Sequence, residues 1–225
     1  MISPAANNRG SRWLFIVEVA VVVAIFYLDW RHLLPLSKTP FLFVLGWISL
    51  RLRGQGWKDV GLRPARPLGK FLFIGIAVGV GMEALELFAT QPVLTNVLGK
   101  GPDLSLLNSL IGNVKVLIIA LVLAWVLAAL GEEIVWRGYL MNRMAGIVGG
   151  SKGGWMISFI LVTILFGFAH FPQGATGIAE NFIDGAILGL LYLATGRNLL
   201  APIIAHGIQD TVDVLLIYSG HYPGI

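Results

Sequence analysis

The sequence predicts an all-α protein, a polytopic bundle of about seven transmembrane helices. Three observations carry that prediction. The chain of 225 residues is 56% hydrophobic and only 12% charged, against about 25% charged in soluble domains, and its mean hydropathy is +0.81. Its apolar residues gather into runs close to the ~20 residues that cross ~30 Å of hydrocarbon, with short loops between them. Lys and Arg are divided unevenly among those loops, as a membrane topology requires. The chain 1–225 is therefore read as one integral membrane domain, with no room for a separate soluble one.

The predicted spans are 13–30, 39–52, 70–90, 113–143, 155–171, 177–195 and 199–219. The first resembles a signal peptide in position. It contains Glu18, however, and no small-x-small cleavage site precedes Asp29-Trp30-Arg31, so it is read as retained. The second is short. The third carries Gly75-x-x-x-Gly79 and the sixth Gly185-x-x-x-Gly189, spacings that put small residues on one helix face and let a neighbour approach. The fourth and fifth are joined through Gly149-Gly150-Ser151-Lys152-Gly153-Gly154, a strong turn signal. No inverted repeat of the transporter kind is visible.

The basic residues fix the expected orientation. Arg9 and Arg12 lie in the N-terminal tail, and the 51–70 loop holds Arg51, Arg53, Lys58, Arg63, Arg66 and Lys70. The 137–154 region, from the end of the fourth span to the start of the fifth, holds Arg137, Arg143 and Lys152, and the 196–198 turn holds Arg197. The alternate loops hold only Arg31, Lys38, Lys100 and Lys115. This split predicts a cytoplasmic N-terminus, and compactness without a targeting extension predicts the plasma (inner) membrane. The net charge of +4 flanks the spans as anchors do, so the expected partner is the lipid bilayer and not nucleic acid. There is no cysteine, which excludes disulfides and thiolate catalysis.

Ionisable side chains at membrane depth cost at least ~2.5–3.5 kcal/mol each and are functional candidates by default. The most exceptional are Glu132, Glu133 and Arg137, in the run Leu130-Gly131-Glu132-Glu133-Ile134-Val135-Trp136-Arg137. Glu133 and Arg137 are four apart, share a helix face and can pair. Glu132 lies ~100° round the helix from Glu133 and is left to face a partner elsewhere, which makes it the chemical residue and the Glu133–Arg137 pair its support. His170 closes the next span. Residue 151, midway between 132 and 170, falls in the Gly-rich turn, so an antiparallel hairpin closed there sets Glu132 and His170 at one depth. His206 and Asp210 are four apart on the last span. They can hydrogen-bond, the carboxylate fixing the imidazole tautomer, with Gly207 leaving space beside them. Glu83 with Glu86 and Glu180 with Asp184 are weaker candidate sets, suited to lining a hydrated cavity or to tying helices together, and Glu18 and Asp213 are further acids at membrane depth. His32 and His221 lie at span ends and read as interfacial.

A glutamate facing a histidine in a wet pocket suits the activation of water as a general base. Attack on a peptide carbonyl then needs donors for the oxyanion, which the second histidine and its partner can supply. The helix zinc motif His-Glu-x-x-His is absent. Two histidines and a glutamate, here Glu132, His170 and His206, can still hold one zinc ion with an open position, so a metal is compatible with the pattern and not required by it.

Glu132-Glu133-x-x-x-Arg137, Phe166-x-x-x-His170 and His206-x-x-x-Asp210 together resemble, in order, the three motifs of the CPBP intramembrane proteases. This family, also called Abi, includes the CAAX prenyl endopeptidase of the Rce type. The resemblance covers about residues 120–215 as a catalytic core and leaves 1–110 as spans without a recognised motif. It implies an intramembrane endopeptidase in which Glu132 and His170 activate water, His206 and Asp210 stabilise the oxyanion, and Glu133 and Arg137 hold the motif together. A glutamic-type reaction is favoured over a metalloprotease. The third motif often ends in Asn where this chain has Asp210, and an ionised Asp cannot donate to an oxyanion, so Asp210 is either protonated or only orients His206. The implied substrate is a membrane protein, or a lipidated or precursor peptide. Two other readings compete: a non-catalytic immunity or regulatory protein on the same scaffold, and a small proton-coupled transporter built on Glu83, Glu86, Glu180 and Asp184.

Overall fold

The structure is a computed structural model that describes residues 8–35 and 37–223. The side chains of Arg9 and Arg12, counted in the charge split, lie outside the described residues. Among the described residues the regular structure is helical throughout, with seven main segments, α1 (Asn8–Trp30), α2 (Thr39–Leu52), α3 (Leu68–Leu98), α4 (Val114–Ile147), α5 (Lys152–Phe168), α6 (Phe171–Ala194) and α7 (Leu200–Ser219), and short 3-10 turns at Trp57–Val60 and Ser105–Leu110. The predicted all-α bundle is what the chain forms. The distribution of polarity is that of a membrane protein. Large apolar side chains such as Phe73, Phe88, Ile118 and Val126 face outward, while Glu18, Glu83, Glu133, Arg137 and Gln209 are buried.

Five of these helices, α1, α3, α4, α6 and α7, are long and apolar enough to cross a membrane. With 14 and 17 residues, α2 and α5 reach only about 21 and 25 Å at ~1.5 Å per residue, short of the ~30 Å of hydrocarbon. Seven helical segments fall where seven spans were expected, five of full membrane length and two shorter, and the reason for the difference lies where the short ones stop. The N-terminus of α2 and the C-terminus of α5 meet: Lys38 Nζ donates to Ala169 O at 3.0 Å. Ser37 and His170, the residues just outside these two ends, line one cavity. Irregular backbone at membrane depth is tolerated where it lines such a cavity.

Both small-residue spacings are contact sites. A Cβ on Gly75 would sit 2.7 Å from Ile204 Cβ, and one on Gly79 would sit 2.5 Å from Ala205 O, so α3 lies against the backbone of α7. A Cβ on Gly185 would meet Phe166 Cδ1 at 2.9 Å and one on Gly189 would meet Phe159 Cδ2 at 2.9 Å, which seats α6 on α5. The room that Gly207 leaves is filled: the Trp125 ring of α4 packs there, 2.6 Å from where a Cβ would be, and its Nε1 donates to Thr211 Oγ1 at 3.1 Å.

Candidate active site

The hairpin that brings the first two motifs together is closed by backbone chemistry legible in the sequence. Gly149 and Gly150 have φ of 96° and 64°, in the left-handed region that glycine adopts at little cost. Gly150 N donates back to Ala145 O at 2.8 Å. The Ser151 side chain caps α5 by accepting from Gly154 N at 3.1 Å. On the way to this turn α4 changes its winding. Residues 124–132 and 134–141 form wide π-type turns with i→i+5 bonding, a geometry frequent at functional sites; Glu132 and Arg137 sit on them and Glu133 joins the two.

Glu133 and Arg137 are enclosed. Arg137 Nη1 donates to Glu133 Oε1 at 2.6 Å, Nη2 donates to Gly185 O at 3.0 Å, and the guanidinium lies 4.6 Å from the Phe166 ring centroid. The same Glu133 oxygen also faces His206 Nδ1 at 3.0 Å. A carboxylate only accepts hydrogen bonds, so an ionised Glu133 places the proton on Nδ1 and leaves Nε2 for the cavity. Here the structure differs from the sequence expectation. Asp210 Oδ1 is 3.6 Å from Nε2, beyond hydrogen-bond length, so Glu133, seventy-three residues away in sequence, takes the orienting role expected of Asp210. His206 is thus flanked by two carboxylates, one at each ring nitrogen.

His170 lies past the end of α5, in the turn before Phe171. Its Nδ1 is 2.8 Å from Phe166 O. A carbonyl can only accept, so Nδ1 carries the proton and Nε2 is an acceptor in the neutral ring. Lys38, also 3.4 Å from Asp29, steadies this turn through Ala169 O. Glu132 has only a long contact, 3.5 Å from Thr39 Oγ1. Glu132, His170, His206 and Asp210 all line a cavity of about 440 Å³, within the range of small-molecule sites, ~300–1,000 Å³.

The cavity continues past the motif residues. Glu86 of α3, Glu180 and Asp184 of α6, and Gln209 and Asp213 of α7 line it too. Gln209 Nε2 donates to Glu86 Oε2 at 2.8 Å and to Asp184 Oδ2 at 3.1 Å, and the Tyr222 hydroxyl donates to Glu86 Oε1 at 2.9 Å. Sequence reasoning treated Lys38 only as a loop charge and passed over Thr39, Gln209 and Tyr222. Gln209 is adjacent to Asp210 and could have been found as a buried polar residue on the same helix. Lys38 and Tyr222 act across more than a hundred residues and leave no local signal. Among the described residues no group of three His, Asp or Glu side chains is placed to hold a metal ion.

The family described as Type II CAAX prenyl endopeptidase Rce1-like matches residues 114–212, a segment that opens with α4 and contains Glu132, His170, His206 and Asp210. No curated protein and no solved structure matches the chain.

Proposed function

We propose that this chain, similar over residues 114–212 to the Rce1-like Type II CAAX prenyl endopeptidases and so to the CPBP/Abi proteases, hydrolyses a peptide bond by a glutamic-type reaction inside the membrane. The observation that supports this most is convergence. Residues from three motifs up to 78 positions apart, Glu132, His170, His206 and Asp210, line one cavity of a helix bundle otherwise apolar on its outside.

In this reading water sits between Glu132 and His170 Nε2. The Glu132 carboxylate accepts a proton from the water as its oxygen attacks the carbonyl carbon, and the carbonyl π electrons move to oxygen. The resulting oxyanion is met by His206, which donates from Nε2 when that nitrogen is protonated. Glu133, on the far ring nitrogen, holds the imidazole in place. The proton held by Glu132 then passes to the departing amide nitrogen as the C–N bond breaks, leaving one carboxylic acid and one amine. Asp210 shares the Nε2 side of His206 and steadies its charge, a role that needs no proton on Asp210. No step is routed through a metal.

The substrate class proposed is a membrane protein or a lipidated or precursor peptide, such as a prenylated tail, a bacteriocin or pheromone precursor, or a C-terminal sorting signal. The plasma (inner) membrane with a cytoplasmic N-terminus is the proposed setting. The test compares membranes from cells making wild type or Glu132→Gln by mass spectrometry of protein termini. Termini that depend on Glu132 are expected, and they identify the substrate directly. They are also expected to persist when a zinc chelator is added, and their loss would transfer the role to a metalloprotease. Identical termini at equal abundance of folded protein would favour a non-catalytic immunity or regulatory protein.

A further inference from the structure

Six carboxylates line the one cavity: Glu86, Glu132, Glu180, Asp184, Asp210 and Asp213. They are half of all the Asp and Glu in a chain that carries 16 Lys and Arg against 12 acids, yet among the described residues no Lys or Arg lines this cavity. Two more, Glu83 and Glu133, are buried nearby. Only Glu132, His170, His206 and Asp210 are used by the hydrolytic step. The rest form an acidic arm contributed by α3, α6 and α7.

The polar groups of the protein do not complete this arm. Gln209 and Tyr222 satisfy Glu86 and one oxygen of Asp184. Glu180 is 95% buried (5% exposed) and lines the cavity, and its Oε1 has no hydrogen-bond partner among the described residues. A buried carboxylate oxygen without a donor is costly, and a cleft lined by one sign of charge with low-dielectric walls concentrates ions of the opposite sign.

We infer that this arm is a substrate subsite for a cationic group of the peptide, an ammonium or guanidinium that sits among Glu86, Glu180, Asp184 and Asp213. The inference rests on the peptidase reading for its choice of a peptide occupant. Continuity of the cavity sets the register. His206 and Asp213 are seven residues apart on α7, about 10 Å at ~1.5 Å per residue, and an extended peptide covers about 3.3 Å per residue. The cation therefore belongs within about three residues of the scissile bond.

The test uses full-length protein in nanodiscs of neutral lipid and reads binding separately from turnover. Glu132→Gln protein is titrated with a fluorescent, acetyl-capped pentapeptide amide that has Lys at its centre. The comparison peptides place Gln or norleucine there, and a fourth carries Gln with a free α-amine. The Lys peptide is expected to bind about tenfold or more tightly than its Gln and norleucine counterparts. That preference is expected to fall to near unity when Glu180→Gln or Asp184→Asn is added. Each of these two variants is checked for wild-type melting, so that one serves if the other misfolds. Tighter binding of the free α-amine alone would identify a peptide terminus as the cation and keep the acidic subsite. Equal affinity for charged and neutral peptides, a preference that survives both substitutions, or binding by none of the four would overturn the inference. The two claims separate cleanly. Cleavage that depends on Glu132 without a cation preference sinks the subsite alone, and a cation preference without such cleavage sinks the peptidase reading alone.

Discussion

One oxygen of Glu133 accepts from both Arg137 and His206, so a single carboxylate positions a buried guanidinium and an imidazole. Breaking a buried pair by removing one partner costs about 3–5 kcal/mol. Arg137→Met is therefore expected to lower stability by roughly that amount, read as an early melting transition in detergent. His206→Ala has the opposite signature. It removes the proposed oxyanion donor and should reduce kcat by about 10²–10³ while the protein still purifies as a folded species. Lys38 is a positioning residue in this account. Its charged hydrogen bond to Ala169 O has the ~1.5–3 kcal/mol worth of such bonds, and it steadies the turn that carries His170. Lys38→Met is expected to lower kcat about 10–100-fold with little change in KM, and a change confined to KM would remove it from that role.

The element scale is set by close helix approaches and by two helices that stop early. Gly79→Ala forces a Cβ to 2.5 Å from the backbone oxygen of Ala205, whereas a Cβ at Gly81 meets nothing within 4 Å. Overpacking of this kind costs about 1–3 kcal/mol, so Gly79→Ala should lower the melting temperature and Gly81→Ala should leave it near wild type. Features carried by local spacing were legible in the sequence. The two Gly-x-x-x-Gly faces, the Gly-rich turn at 149–154 and the i,i+4 pairing of Glu133 with Arg137 all depend on residues a few positions apart. What escaped the sequence depends on long separations or on backbone winding. Nothing near Lys38 announces Ala169, nothing near His206 announces Glu133, and the wide turns of α4 replace the regular ~3.6-residue period from which the facing of Glu132 was argued. The early ends of α2 and α5 follow from the same cause, since a helix stops short in the bilayer only where another part of the chain supplies a polar cavity.

At the scale of the whole molecule, polarity is turned inward and half of the acids are gathered around the candidate cavity. The chain has no cysteine, which makes topology directly measurable. α3, long and apolar enough to cross a membrane, runs between the segment containing Lys58 and the segment containing Leu106, both exposed. Lys58→Cys should react with an impermeant maleimide only from the cytoplasmic face, and Leu106→Cys only from the opposite face. Labelling of both from one face would contradict the orientation proposed from the Lys and Arg split. In the proposed reaction two neighbouring glutamates divide the work: Glu132 faces the cavity to handle water, and Glu133 holds Arg137 and His206. The most direct measurement makes Glu132→Gln and Glu133→Gln side by side and records melting and the protein termini produced in membranes. The account predicts that Glu132→Gln melts like wild type and loses all dependent termini, while Glu133→Gln melts well below it. A Glu132→Gln protein that still generates the wild-type termini would contradict the account.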